Sequence, residues 1–143
     1  MIPIPQMPFR DAVAVYVGML IPFLAIQLWR NANSEFQTNI VLIVVVLSIT
    51  CAIMAAPALI VLAVLYRFDT VRSHLGGFAA LASVISTILV SCAAAAMFKI
   101  AWLPFLTNFV HMILTAALVS LFVDQSVKIH DRKERAMLRG FHA

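Results

Sequence analysis

Four long apolar runs separated by short polar stretches make up most of the chain. They cover Ala12–Trp29, Ile40–Tyr66, Leu75–Phe98 and about Leu103–Val123. Each holds 18 or more residues, and at a rise of about 1.5 Å per residue a helix of that length reaches across a bilayer. Strands of a membrane barrel would alternate polar and apolar positions, whereas Ile40–Ser48 reads IVLIVVVLS. Since unpaired backbone cannot face lipid, the pattern predicts four transmembrane helices. The second would measure about 40 Å if straight, more than the hydrocarbon thickness, so it must tilt or bend. Pro57 supplies a kink, because its ring removes a backbone donor and frees the carbonyl near Ile53.

The third run has the most informative composition. Ala79, Ser83, Thr87, Ser91 and Ala95 recur at every fourth position, with Gly76 at the start of the same side. Residues four apart stack along one helix ridge. In lipid, Leu gains little from leaving the acyl chains, so small side chains and hydroxyls mark the face where helices approach. Gly76, Ala79, Ser83, Thr87, Ser91 and Ala95 are therefore the expected helix-packing interface.

Outside the runs, MIPIPQMPFRDA carries three prolines in eight residues, which delays the first helix to about Arg10 and predicts an extended strap before it. The apolar stretch that follows lacks a convincing cleavage site in LWRNANSEF, so it is read as a retained span. Arg67–His74 is expected as a loop. Lys99–Pro104 is too short to be anything but a turn between antiparallel neighbours, with Pro104 suited to a helix start. Beyond Val123, Asp124/Lys128 and Asp131/Arg135 are spaced as i,i+4 pairs, so the helix should continue into water until about Gly140.

Composition agrees with a membrane protein: hydrophobic residues are 64% and charged residues 11% of the 143, against roughly 25% charged in ordinary globular domains. The net charge of +4 is better read as a topology signal than as a nucleic-acid footprint. With four spans both termini share a side. Arg10, Arg67, Arg72, Lys128, Arg132, Lys133, Arg135 and Arg139 fall there, opposite only Arg30 and Lys99. The positive-inside rule makes that side cytoplasmic, and Trp29 and Trp102 then mark the outer interface. The expected fold is an all-α integral membrane protein of the cell inner membrane: four antiparallel transmembrane helices in residues 1–124 and a short basic cytoplasmic helical tail in 125–143.

Candidate chemistry is sparse. Asp11, Glu35, Asp69, Asp124, Asp131 and Glu134 all fall in loops, in the tail or at helix rims, so no carboxylate at membrane depth is available to a proton-coupled carrier or to paired-carboxylate catalysis. Cys51 and Cys92 lie inside apolar runs and read as small core residues, and no spacing suggests a metal or a cofactor. The exception is the fourth run, where Asn108, His111 and Thr115 share one face. Counting down both arms of the hairpin places Ser91 level with His111 and Thr87 near Thr115. The structural reading of His111 is a clasp that hydrogen-bonds the hairpin; the functional reading is a place in a polar path.

These residues predict no enzyme. The expected partners are the lipid bilayer and other membrane subunits, or a second copy of the chain, and no nucleic acid. A small non-catalytic subunit or accessory component of a larger membrane assembly, of secretion, transport or respiratory type, packing on its partners through the small-residue face of the third run, explains the ridge and the sparse soluble regions. The alternative is a self-assembling pore of holin-like type or a bacteriocin-immunity-type membrane protein, in which the ridge joins copies and the polar cluster faces a lumen.

Overall fold

The computed structural model describes residues 3–35, 39–98 and 109–141. Among these the fold is all-helical, without strands: α1 (Phe9–Ala32), α2 (Ile40–Leu65), a short α3 (Asp69–Ser73), α4 (Leu75–Phe98) and α5 (Phe109–Phe141). Four of them, α1, α2, α4 and α5, are long and apolar enough to cross a membrane. The chain is a multi-pass membrane protein.

The elements begin and end for local reasons. Pro3–Pro8 stays out of helix, and Pro8 stands at the N-cap of α1 with extended φ and ψ of −60° and 140°; the fixed ring starts the helix as proline does elsewhere. Asn39 caps α2 by accepting from the Val41 N–H at 2.9 Å, which satisfies one of the donors a helix start leaves free. The stretch expected as a loop at Arg67–His74 contains α3. Asp69 in its first turn and Arg72 in its last are joined by an ion pair, Arg72 also donates to the carbonyls of Tyr66 and Arg67, and Val71 is buried as an anchor. The first span is longer than its apolar run, since Arg10, Asp11 and Arg30 continue the helix at either end.

Two prolines lie inside helices. Pro57 sits in α2 without ending it, and Pro22 does the same in α1. Each removes a donor to the carbonyl four residues back, at Ile53 and Gly18. In the turn that Pro57 opens, the Ser86 hydroxyl of α4 donates to the Met54 carbonyl.

The four spans pack as a ring in which α1 touches α2 and α5, and α4 touches α2 and α5. Along the α1/α5 seam Ser126 bonds Asp11, Val119 meets Gly18 and His111 lies against Phe23. The tightest approach is at Gly18, where an added Cβ would lie 2.8 Å from the Val119 Cα. Across the α4/α5 seam, Gly76 faces Asp124 and the Ser120 carbonyl. Tyr16 joins α1 to α2 by donating to the Ser48 carbonyl at 2.9 Å. The core between the helices is built from Val15, Met19, Cys51, Leu62, Ala79, Val119 and Val123, each at most 2% exposed. The lipid-facing side is lined by branched aliphatics, most densely on α2.

Candidate functional site

The buried stripe of α5 runs His111, Thr115, Val119, Val123, Ser126, and that of α1 runs Asp11, Val15, Gly18, Met19, Pro22. Matched along the seam, they put polar groups at its two ends and apolar groups between. The separation of His111 from Ser126 is about 22 Å along the helix.

At one end Asp11, 2% exposed, is the most buried charged group among the described residues. Its Oδ1 accepts from the Ser126 hydroxyl at 2.6 Å, and Ser126 in turn accepts from the Arg10 Nε at 3.0 Å. The guanidinium also lies 3.9 Å from that carboxylate. A buried carboxylate is retained only with such partners, and charge-assisted bonds of this length are the stronger kind. Tyr66, one residue past the end of α2, lies close by: its phenol is pushed up by burial and then by the Asp11 carboxylate, against the opposing effect of Arg72 and Arg10. Helices α1 and α5 are thus tied together by polar groups at this end. The hydropathy pattern shows Asp11 only as a rim residue. The signal that would have found it is its spacing, four before Val15 and seven before Gly18 on the buried face.

At the other end His111 is 7% and Thr115 2% exposed. His111 Nε2 and Thr115 Oγ1 have no hydrogen-bond partner among the described residues. The neighbour of the imidazole is the Phe23 ring, with centroids 5.8 Å apart. Counting up α4 and α5 from Gly76, Ser120 and Asp124 brings Thr87 level with His111 and Ser83 level with Thr115, one turn from the expected pairing with Ser91. Thr87 and Ser83 spend their hydroxyls on α4 itself, donating to Ser83 and Ala79 carbonyls at 2.8 and 2.7 Å. Asn108, the third member of the expected cluster, lies outside the described residues, as do Thr107, Lys99, Trp102 and Pro104.

The small-residue ridge is used inside the chain. Gly76, Ala79, Ser83 and Thr87 are buried by this protein's own helices, together with Ser86. Ser91 and Ala95 remain half-buried. Cys51 is a buried free thiol and Cys92 a half-buried one. Among the described residues no three His, Cys, Asp or Glu side chains gather in a way that could hold a metal ion.

Beyond the bundle α5 continues alone. Burial ends at Val127, and every residue from Lys128 to Phe141 is exposed. In this segment the expected Asp124/Lys128 and Asp131/Arg135 pairs do not form; His130 Nε2 instead lies 2.9 Å from Glu134 Oε1. Lys128, Arg132, Arg135 and Arg139 follow one another at i, i+4, i+7 and i+11, which makes one basic stripe. Met137 and Phe141 fall on the other side together with His130 and Glu134, and Leu138 lies at the flank; the three apolar residues are between 60% and 87% exposed. No known protein family matches the chain, and no curated protein and no solved structure is similar to it.

Proposed function

We propose that this is a small non-catalytic inner-membrane protein, an accessory component of a larger membrane assembly of secretion, transport or respiratory type. Its four spans are antiparallel, both termini are cytoplasmic, and the free end of α5 is a basic helical tail that meets the partner. The observation that carries this reading is that free end. About 20 Å of helix beyond Val127 presents Met137 and Phe141 to solvent on one side, Leu138 at its flank and four basic residues on the other. An isolated helix so short is marginal in water, and a partner with an acidic and an apolar surface would stabilise it. Gly76, Ala79, Ser83 and Thr87 of the α4 ridge are buried within the chain, which favours the tail over that part of the ridge as the partner contact.

The pore alternative requires a polar stripe on the outside of the bundle, where copies would meet around water. Deep in the described spans the exposed residues are apolar apart from Thr50, whose hydroxyl bonds the Val46 carbonyl. Within one bundle, Val15, Met19, Val119 and Val123 separate the Asp11/Ser126 group from His111 and Thr115. Among the described residues neither place offers a continuous polar lining, which favours the accessory reading.

The test is extraction in mild detergent followed by native electrophoresis of the full chain and of an Arg132→Glu/Arg135→Glu variant. A stoichiometric larger complex that the variant loses supports the reading. A homo-oligomer ladder, or a complex indifferent to the charge reversal, overturns it. Reporter fusions after Phe141 and between Asn31 and Glu35 test the orientation, and a reporter active only outside the cytoplasm at the first site overturns that part alone.

A further inference from the structure

Beyond Val127 the tail keeps the line of the span, since α5 is one helix to Phe141, and every residue from Lys128 onward in it is exposed. The basic stripe therefore climbs away from the bilayer. Lys128, Arg132, Arg135 and Arg139 stand about 1.5, 7.5, 12 and 18 Å beyond Val127 along the axis. Among the described residues none of the four makes an ion pair. The carboxylates of the same helix leave the stripe unneutralised, because Glu134 meets His130 and Asp131 is a single charge on its flank.

We infer, resting on the reading that the tail meets a partner subunit, that the stripe docks an acidic helix rising from the same side of the same membrane: a segment next to a span of the partner, with carboxylates at the same spacing. Three features of the stripe select this occupant. Steps of four, three and four residues hold it to one straight seam of the kind that joins two helices, and they set successive charges about 6, 4.5 and 6 Å apart in height. A helix with that spacing matches every step, whereas an extended chain returns to one face about every 6.8 Å and falls out of step. Charges at an exposed surface are screened beyond about 8 Å, so lipid headgroups answer Lys128 and Arg132 but not Arg135 and Arg139. A helix that itself leaves the bilayer faces all four. A second copy of the chain is disfavoured, because copies in one membrane share an orientation and would set stripe against stripe, with like charges opposed.

The test replaces Ala136, which borders the stripe, by the photo-cross-linker p-benzoylphenylalanine in the full chain in its native membrane, and sequences the peptide captured. The expected product is a segment directly next to a span, with carboxylates at the matching spacing. Capture of lipid, nucleic acid, a soluble protein or a second copy, or no capture, overturns the inference. In parallel, the full chain in zwitterionic nanodiscs is titrated with a lipid-anchored helical peptide bearing glutamates at that spacing, and with one of equal composition whose glutamates circle the helix. The matched peptide should bind about tenfold tighter. Arg132→Glu should weaken it about tenfold, Arg135→Lys should retain it, and Lys133→Glu, the same change in net charge on another side of the helix, should alter it little. Equal binding of the two peptides, or equal loss in the two glutamate variants, overturns the inference. Native electrophoresis separates this failure from that of the assembly reading: a larger complex that persists while the cross-link or the peptide preference fails overturns the acidic helix alone.

Discussion

Replacing Gly18 by Ala is the sharpest test of the helix packing. The added Cβ would lie 2.8 Å from the Val119 Cα, 2.9 Å from its Cγ2 and 3.0 Å from its N. Carbon atoms that touch prefer about 3.5–4.0 Å, so α1 and α5 must separate by about 0.7 Å or more. Rotation of the Val119 side chain cannot relieve this, since the nearest atom belongs to the backbone. The displacement reaches the neighbours Val15, Met19 and Val123, all at most 2% exposed. Overpacking of this kind costs ~1–3 kcal/mol, set against up to ~1 kcal/mol gained by having Ala rather than Gly in a helix. The expected net loss is about 1–2 kcal/mol, measured by reversible unfolding in mixed micelles. Gly77→Ala is the control, because nothing lies within 4 Å of its Cβ, and it should be neutral or slightly stabilising. Gly76→Ala should fall between, since its closest neighbour is the swinging carboxylate of Asp124, while the Ser120 carbonyl at 3.1 Å remains. Adding Val119→Ala to Gly18→Ala relieves the clash with the Cγ2 methyl but not the one with the Val119 backbone, so recovery should be partial. If Gly18→Ala is as stable as Gly77→Ala, the close approach of α1 and α5 is refuted.

Three further outcomes follow from the same packing. Ser83→Leu and Ala79→Leu, at positions fully shielded from solvent, should each lower stability by ~1–3 kcal/mol, while Val84→Leu at a half-buried position should cost less; equal tolerance in the same unfolding assay would remove the interface. Asp11→Ala should cost ~1.5–3 kcal/mol, the range for a hydrogen bond to a charged group, by leaving the Ser126 hydroxyl proton without its acceptor, and Asp11→Asn should retain part of it; an unchanged unfolding midpoint for Asp11→Ala would refute the polar tie. His111→Leu gives up the Phe23 ring interaction, worth ~0.5–1.5 kcal/mol, and removes an unpaired buried nitrogen whose penalty is ~1–3 kcal/mol, so it should be neutral or mildly stabilising; a loss above ~2 kcal/mol would mean that His111 makes a bond that holds the bundle.

The number and type of spans were written in the sequence, because length and hydropathy alone decide what can sit in lipid when every backbone group must be bonded internally. The helices α2 and α4 begin and end within a residue of their apolar runs, and the small-residue ridge on α4 is a packing face. What hydropathy could not say is which helix a face meets, since in lipid a face against a neighbour in the same chain and a face against another protein carry the same residues. Tertiary structure decided that Gly76, Ala79, Ser83 and Thr87 are covered from within. It also decided that Asp11, a rim residue by position, is sealed by Ser126, which is 115 residues away in the chain. Gly18 and Pro22 look unremarkable along α1, yet only the facing Val119 gives Gly18 its role. The short helix at Asp69–Ser73 depends on one ion pair and one buried valine, too little local signal to stand out from a loop. Periodicity fixes which residues share a side of a helix; what lies opposite that side is a property of pairs, and pairs far apart in sequence are set only when the bundle closes.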